Sequence, residues 1–220
     1  MSIDFNVVEQ SVPVLLQGLK LTALVSLIGI PAGAVAGTVA AYMADAKWWG
    51  QRALALAYVD LVRNVPFLII VYLAYFGLPK LGAHLSAFAV AVGTMIFYTG
   101  GYFCEILRAA FHSVPRGQVR AAQSLGLRGW QVQRYVVVPQ IFGFITPPAT
   151  SLTIMMFKDT AIFSVISLPE LTYQSNLMTA DTFAYVEVLG TTALIYWVCS
   201  VLLDVCGHAI EARVRRWSHR

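Results

Sequence analysis

Charged side chains are scarce in this sequence. They account for 12% of its 220 residues, whereas hydrophobic residues account for 58%. In an ordinary soluble domain about a quarter of the residues are charged, so this composition excludes that class. Apolar segments in lipid must satisfy their own backbone hydrogen bonds, which favours helices. The composition therefore predicts an all-α integral membrane protein.

The sequence also lacks the short motifs of common catalytic sites. It contains no G-x-x-x-x-G-K-[ST] phosphate-binding loop, no G-x-S-x-G and no H-E-x-x-H. Any energy input must therefore come from another subunit. His84 has no second ligand at metal-binding spacing, so we predict no metal site. An odd number of cysteines, all in or beside apolar segments, implies no disulfide framework: Cys104, Cys199 and Cys206.

Acidic residues are almost absent from residues 105–139. This stretch holds five arginines against a single acid, Glu105, and apolar segments flank it on both sides. Basic loops between spans belong on the cytoplasmic face. Eleven of the fifteen basic residues fall in this stretch, in the turn before residue 54 and in the C-terminal segment, which predicts Met1 outside and Arg220 inside. No DNA- or RNA-binding motif accompanies the net charge of +4, so we expect no nucleic-acid partner.

Five apolar segments are long enough to cross a bilayer. At about 1.5 Å per residue, a hydrocarbon core of about 30 Å needs about 20 helical residues. The fourth segment meets charge at Lys158 and resumes beyond it, so we predict a broken span there. A polar stretch that begins at Glu170 is predicted to form an amphipathic helix on the outer surface. The five spans are predicted at residues 21–43, 54–76, 85–107, 141–168 and 184–205.

Glycines recur at every fourth residue of the first span, at Gly29, Gly33 and Gly37. Small residues at this spacing let two helices approach closely in lipid. The spacing predicts a packed face, although glycine is also simply frequent in transmembrane helices.

The basic stretch contains a helical pattern of its own. After a break at Pro115 and Gly117, apolar residues recur at roughly helical spacing. Gly126 and Gly129 allow a tight turn before a second helix that opens at Trp130. We predict a short helix, a turn and another helix outside the membrane, a shape that suits docking of a partner protein better than a lipid anchor. The recurring apolar residues are Val119, Ala122, Leu125 and Leu127.

Ionisable residues lie inside the second predicted span. Asp60 and Arg63 are followed by Asn64 and Pro66, well within the apolar sequence. Charges at membrane depth are costly unless they face protein or a water-filled path. Arg63 is therefore a candidate for contact with a solute. Pairing with Asp60, three residues earlier on nearly the same helix face, is an equally open interpretation.

Lys158, Asp159 and Thr160 interrupt the fourth predicted span. Broken regions at membrane depth leave backbone groups and charges that must line a cavity. An adjacent lysine and aspartate match the carboxylate and the amino group of an amino acid. The same two charges also compensate each other, so the sequence leaves a substrate site and a structural pair open.

Residues 120–139 resemble the EAA loop of bacterial ABC importer permeases. In that loop Glu-Ala-Ala precedes a glycine and, further on, an aliphatic-x-aliphatic-Pro ending. Arg120 departs from the pattern, because the family usually has Glu there. The words Glu105-Ile106-Leu107-Arg108 and Lys158-Asp159-Thr160 resemble permeases for polar amino acids of the histidine, glutamine and arginine type. The matching loop positions are Ala121, Ala122, Gly126, Val136, Val138 and Pro139.

The resemblance implies one transmembrane permease domain over residues 1–220, with residues 105–139 as its cytoplasmic coupling loop. It implies a polar amino acid as substrate and the bacterial cytoplasmic membrane, with its lipid, as surroundings. ATP is bound by a partner ATP-binding cassette subunit, so the chain itself needs no cofactor. The other implied partners are a second permease subunit, the same or a sister chain, and an extracytoplasmic solute-binding protein. Coupling to the ATPase is expected at Pro115, Gly117, Arg120, Ala121, Ala122, Leu125 and Gly126.

A self-sufficient secondary transporter or channel is the alternative function. The buried charges at Asp60, Arg63, Lys158 and Asp159 suit it as well. Such transporters usually contain internal repeats, whereas five spans cannot be divided into two equal halves and the sequence shows no repeat. A membrane enzyme has no catalytic constellation to support it. The basic loop therefore favours the importer.

Overall fold

The computed structural model describes residues 4–218, a range that excludes Met1 and Arg220, whose predicted locations therefore lie outside it. Within that range all regular secondary structure is helical, with short π-helical and 3₁₀ segments between some of the α-helices. The α-helices are Phe5–Ala44 (α1), Trp49–Asn64 (α2), Phe67–Tyr72 (α3), Ala87–Ser113 (α4), Arg116–Ser124 (α5), Gly129–Val132 (α6), Val138–Asp159 (α7), Leu171–Thr182 (α8) and Tyr185–Ser218 (α9).

Four helical segments of the described chain are long and apolar enough to cross a membrane, and the bent pair of α2 and α3 makes a fifth if it counts as one span. This confirms the all-α membrane fold, and the count of four or five spans includes the five predicted from hydropathy. The four segments are Phe5–Ala44, Ala87–Ser113, Gly129–Ile166 and Tyr185–Val214.

The first helix is much longer than the span predicted at residues 21–43. It has 40 residues, which corresponds to about 60 Å, about twice the thickness of a hydrocarbon core. The Asp4 side chain accepts a hydrogen bond from the backbone N–H of Asn6 at 3.0 Å and caps its first turn. The polar residues before the predicted span therefore continue the same helix.

Close contact along a row of glycines joins α1 to α4. A Cβ atom added at Gly33 would lie 2.6 Å from the Cβ of Thr99, and one at Gly37 would lie 2.5 Å from the carbonyl oxygen of Gly100. Gly29 meets the side chain of Met95 in the same way. The packed face predicted from the glycine spacing is confirmed, and the pairing shows that the two helices run parallel.

The second predicted span is bent rather than straight. The axes before and after the break between α2 and α3 differ by 110°. Val65 is extended, with φ −106° and ψ 127°, as expected for a residue that precedes a proline, and Pro66 has no N–H to continue the helix. The prediction of one uninterrupted span over residues 54–76 is therefore wrong. The bend is followed by α3, a π-helical turn at Leu73–Gly77 and a 3₁₀ turn at Leu78–Leu81.

The fourth span is one long helical run rather than two broken pieces. A π-helical turn at Gln133–Val137 joins α6 to α7, and a 3₁₀ helix at Thr160–Ile166 follows α7 directly. At residues 158–160, where an interruption was predicted, the α-helix changes to a 3₁₀ helix and the helical run continues. The run ends at Ser167, whose φ is +59°.

Residues 171–182 form α8, but this helix is not the amphipathic surface helix predicted there. Its buried residues, Leu171, Ser175 and Thr179, pack towards α1 and α9, and its polar and apolar residues are not separated onto two faces. Glu170, the N-cap residue, is fully buried. Its charge had suggested an exposed position, whereas tertiary hydrogen bonds hold it inside.

Two hydrophobic clusters fill the bundle. One contains Phe67, Met95 and Phe163 and lies among α3, α4 and the 3₁₀ helix. The other contains Cys104 and Ala122 and connects α4 to α5. We call the end of the bundle that carries α5 the loop end. The second cluster attaches the loop firmly to the spans.

Candidate functional site

The helix, turn and helix predicted in the basic stretch are present in the structure. Gly126 follows α5 with φ +82°, as expected from its place in the turn. Its N–H donates to the carbonyl of Gln123 at 2.9 Å, and the N–H of Leu127 donates to the carbonyl of Ala122 at 3.2 Å. This pair of hydrogen bonds is a Schellman C-cap, which requires a left-handed residue at the turn.

The second helix of the loop begins at Gly129, one residue before the predicted Trp130. The Gln131 side chain accepts a hydrogen bond from the backbone N–H of Arg128 at 2.7 Å and fixes this N-terminus. Because α6 continues through the π-helical turn into α7, the loop and the fourth span form one connected unit.

One side of the loop is buried against the bundle and the other is exposed. Ala122 is 6% exposed and packs in one cluster with Val132. By contrast, Leu125 is 83% exposed and Trp130 is 59% exposed. Ala121 is also exposed. Of the two alanines of the EAA-type motif, Ala121 is therefore exposed and Ala122 is buried, and Ala122 packs α5 on the bundle together with Val119 and Leu127.

A groove of about 370 Å³ lies beside α5 and includes Phe111, Val119 and Arg120 in its walls. Arg120 is exposed. In the described part of the chain no carboxylate lies within 4.0 Å of its guanidinium group. The exposed side of the loop is thus apolar at its tip and cationic along α5, with a charge that is available to a partner.

Arg63 pairs with Glu105 of α4 and not with Asp60. Its Nη1 lies 3.2 Å from Glu105 Oε2, and Arg108 donates to the other oxygen of the same carboxylate. Asp60 instead accepts a hydrogen bond from Asn64 at 2.9 Å. The interpretation of a local Asp60–Arg63 pair is wrong in this structure, because helix packing supplies an acid 42 residues away.

These charges surround a cavity of about 640 Å³ between α2 and α4. Lys158 and Asp159 are not part of its walls, so the structure does not bring the two predicted sets of charged residues into one site. The polar residues that line the cavity are Asp60, Arg63, Asn64, Glu105 and Arg108.

The Lys158-Asp159-Thr160 segment lies at the junction of α7 and the 3₁₀ helix. Lys158 is exposed, Asp159 is partly buried and Thr160 is buried. The Thr160 hydroxyl donates to the carbonyl of Phe157 at 2.7 Å, so it stabilises the junction. No ion pair within 4.0 Å joins Lys158 to a carboxylate among the described residues. The two neighbouring charges therefore do not neutralise each other by direct contact.

Glu170 is a buried carboxylate whose role the sequence analysis missed. It accepts hydrogen bonds from the backbone N–H groups of Thr172 at 2.9 Å and Tyr173 at 2.7 Å, and from the Tyr196 hydroxyl at 3.2 Å. Burial raises the pKa of Glu170 to about 7, and these hydrogen bonds oppose the rise. The available signal was its position directly before a helix, where an acid caps the first turn.

Two sequence comparisons bear on this architecture. Residues 29–216 match the family described as binding-protein-dependent transport system inner membrane component. The chain is 30% identical over 217 residues to the glutamine transport system permease protein GlnP of Escherichia coli (strain K12), with 98% of this chain and 99% of GlnP covered. It is 33% identical over 193 residues to the probable amino-acid ABC transporter permease protein YckA of Bacillus subtilis (strain 168), with 87% and 85% covered.

The fold agrees with that relationship. The crystal structure of an amino acid ABC transporter with histidines contains a chain that superposes with a TM-score of 0.90 at 30% sequence identity. The match covers 97% of this chain and 100% of the other. The chain therefore belongs to the family of binding-protein-dependent transport system inner membrane components.

Proposed function

We propose that this chain is the permease subunit of an ABC importer that carries a polar amino acid across the cytoplasmic membrane of a bacterium. Family membership makes it the membrane component of such a system. Its relatives named above carry names for glutamine and amino-acid transport, which supports the substrate class. The observation that carries the proposal is the two-sided loop, with Ala122 buried against the spans while Leu125 and Trp130 face outward.

The loop docks an ATP-binding subunit. The chain has no phosphate-binding motif of its own, so ATP is bound and hydrolysed by that partner. Arg120, Ala121 and Leu125 form the contact surface, while Ala122 passes the movement of α5 to the buried cluster behind it. Pro115 allows the turn into α5, Gly117 lies in its first turn, and Gly126 allows the turn out of it.

Lys158 and Asp159 contact the substrate. A free amino acid carries a carboxylate and an ammonium group, and the two adjacent side chains offer one charge of each sign without an ion pair between them. Thr160 supports this site through its hydrogen bond to the backbone. Asp60 and Arg63 provide a second charged position on the path, nearer the loop end.

A second permease subunit, either another copy or a sister chain, completes the path, because five spans are few to enclose one. Large apolar side chains such as Leu27, Trp197 and Leu202 remain exposed in the single chain and are covered by that subunit or by lipid. An extracytoplasmic solute-binding protein delivers the substrate. The N-terminus lies outside and the C-terminus inside.

Transport by the purified complex tests this function. The chain is coexpressed with its cognate ATP-binding subunit and binding protein, reconstituted in liposomes and assayed for uptake of labelled glutamine, histidine and arginine. We expect uptake of at least one amino acid that requires ATP and the ATP-binding subunit. Uptake that proceeds without that subunit would instead favour a secondary transporter.

The Asp159→Asn variant tests the substrate site within the same assay. We expect its uptake to fall while it still copurifies with the ATP-binding subunit, because the site lies far along α7 from the loop end. Asp181→Asn, which removes an exposed carboxylate on α8, is the matched control and should transport normally. Unchanged uptake by Asp159→Asn would show that the substrate binds elsewhere, and Arg63 would be the next candidate.

A further inference from the structure

The charged residues around the cavity between α2 and α4 contact one another, and a place on the proposed path does not by itself explain these contacts. Glu105 is its centre: one oxygen pairs with Arg63 at 3.2 Å and the other with Arg108 in its own helix. Among the described residues, Arg63–Glu105 is the only ion pair that connects α2 to another helix. This ion pair is therefore one of the contacts that join α2 to α4.

This ion pair connects the bend after α2 to the helix that leads to α5. Arg63 is in the last turn of α2, immediately before the 110° bend at Val65 and Pro66. Glu105 is in α4, which continues without interruption to Ser113, three residues before α5 begins. The distance from Glu105 to the end of α4 is about 12 Å at about 1.5 Å per residue. The buried cluster that contains Ala122 packs α5 on α4, so movement of α5 can reach Glu105 through α4.

The chain also contains the partners for a second arrangement. Asp60 lies three residues before Arg63, and among the described residues its side chain accepts a hydrogen bond from Asn64 alone, so an i, i+3 ion pair with Arg63 is within reach. On the other side, the Nε atom of Arg108 is buried and makes no hydrogen bond within the part of the chain that the structure describes. It lies 3.9 Å from Asp45 Oδ1, which is just beyond hydrogen-bonding distance.

We infer that Arg63 is a positioning residue for transport that exchanges between two carboxylates, Glu105 across the cavity and Asp60 within its own helix. With Arg63 on Glu105, as in this structure, α2 and α4 are bridged across the cavity. With Arg63 on Asp60, the bridge is released, Arg108 takes Glu105 and Asp45, and the cavity opens towards the loop end. This inference rests on the proposed function, because the opened cavity is the exit for the transported solute.

The solvent exposure of these side chains suits an exchange of ion-pair partners. The side chain of Arg63 is 55% exposed and that of Glu105 is 32% exposed. Ion pairs that are open to water differ little in free energy from one another, so an exchange between two of them needs only a small bias. A buried pair would instead lock the helices. The ATP-binding subunit supplies the bias by moving α5.

A distance measurement tests the exchange directly. Spin labels are placed at Ala57→Cys, an exposed position in the wall of the cavity, and at Ala109→Cys, an exposed position one turn beyond Glu105 on α4, after the three native cysteines are replaced by alanine. In the wild-type complex we expect two label distances whose populations change when a non-hydrolysable ATP analogue is added. Asp60→Asn removes the second partner of Arg63 and should leave only the shorter distance. An unchanged distribution in Asp60→Asn would overturn the inference.

The ratio of uptake to ATP hydrolysis is a second measurement. A residue with a merely structural role would not change this ratio. For Asp60→Asn we expect uptake to fall by about tenfold while ATP hydrolysis stays within about twofold of wild type. Arg63→Gln should lose coupling to the same degree, and adding Asp60→Asn to it should cause no further loss, since both act on one exchange. Asp181→Asn is the control for removal of an exposed carboxylate. Additive losses, or a parallel fall in uptake and hydrolysis, would overturn the inference.

Failure of the proposed function is distinguishable from failure of this inference. A wild-type complex that takes up none of the tested amino acids counts against the function, whereas the label distances report on the exchange without any substrate. Asp60 is exposed and outside the buried clusters, so its substitution leaves the folded complex available for both measurements.

Discussion

The hydroxyl of Tyr196 on α9 donates a hydrogen bond to the buried carboxylate of Glu170 at 3.2 Å. From the opposite side, the hydroxyl of Thr22 on α1 points to the same oxygen at 3.5 Å. The two contacts connect three helices through one acidic side chain. A carboxylate in such a place is costly when it is ionised, which makes the stability of this region depend on pH.

We predict that the fold loses stability as the pH rises towards neutrality. Burial raises the pKa of Glu170 from 4.5 to about 7, so the folded state holds the proton more tightly than the unfolded state. The stabilisation is therefore complete below 4.5, falls as the pH rises through that interval and is lost above about 7. The loss has an upper limit of about 3 kcal/mol.

Thermal unfolding of the detergent-solubilised protein across this pH range measures the effect. Glu170→Gln has no proton to lose and should show a much flatter dependence. Glu9→Gln, at an exposed acid in α1, is the control and should behave as wild type. An equally steep dependence in Glu170→Gln would show that another group is responsible.

Gly126→Val should weaken docking of the ATP-binding subunit without harming the spans. The residue has φ +82°, and a side chain in the left-handed region costs about 1–2 kcal/mol, more for a β-branched residue. Copurification with the ATP-binding subunit is the measurement. Gly126→Asn is the matched control, because asparagine tolerates this conformation, and it should retain most of the assembly. Equal assembly of both variants would show that the conformation of this turn does not matter for docking.

Gly37→Ala should destabilise the contact between α1 and α4. The new Cβ would lie 2.5 Å from a backbone carbonyl oxygen of α4, and such overpacking costs about 1–3 kcal/mol. Gly93→Ala in α4 meets no atom within 4 Å and should be neutral or slightly stabilising. Unfolding temperatures of the two variants in detergent measure the difference. Indistinguishable temperatures would mean that the helices separate to admit the methyl group at little cost.

Arg120→Glu, which restores the residue usual in the family, should weaken assembly with the cognate ATP-binding subunit. An exposed ion pair contributes about 1 kcal/mol at most, whereas like charges at a protein interface cost several. We therefore predict an acidic or neutral residue opposite Arg120 on that partner. Copurification and solute-stimulated ATP hydrolysis are measured beside Arg120→Gln, which removes the charge without reversing it. Better assembly of Arg120→Glu would mean that Arg120 is merely tolerated.

The C-terminus is predicted to lie in the cytoplasm, because the basic residues concentrate at the loop end and in the C-terminal part of α9. A reporter enzyme that is active only in the cytoplasm should work when fused after the last residue. The same reporter inserted between α3 and α4, at Ala83, should be inactive. An inactive C-terminal fusion at normal expression would require a different number of spans.

Patterns that depend on neighbouring residues could be predicted from the sequence. The five apolar segments and the turn at Gly126 were predicted from hydropathy and from glycine placement. The bend at Pro66 was missed although the proline was noted, because hydropathy measures how apolar a segment is and contains no information about its direction.

Partners that are distant in the sequence were missed for a different reason. Spacing alone offered Asp60 as the partner of Arg63, since the two lie on one helix face, whereas the actual partner, Glu105, is brought near only by packing of α2 on α4. Glu170 was assigned to the surface because of its charge. Its burial depends on hydroxyl groups from α1 and α9, which no local pattern reveals.

The glycine contacts between α1 and α4 limit how transport can work. Gly29 and Gly33 lie against the side chains of Met95 and Thr99, and Gly37 lies against the backbone of Gly100. Sliding or rolling of α1 on α4 would cause steric overlap at these three turns, so we expect the two long helices to move together. Alternating exposure of a path to the two sides of the membrane must then come from the remaining elements. The bend at Pro66 is the natural hinge, because there the chain already changes direction without a helical hydrogen bond to break.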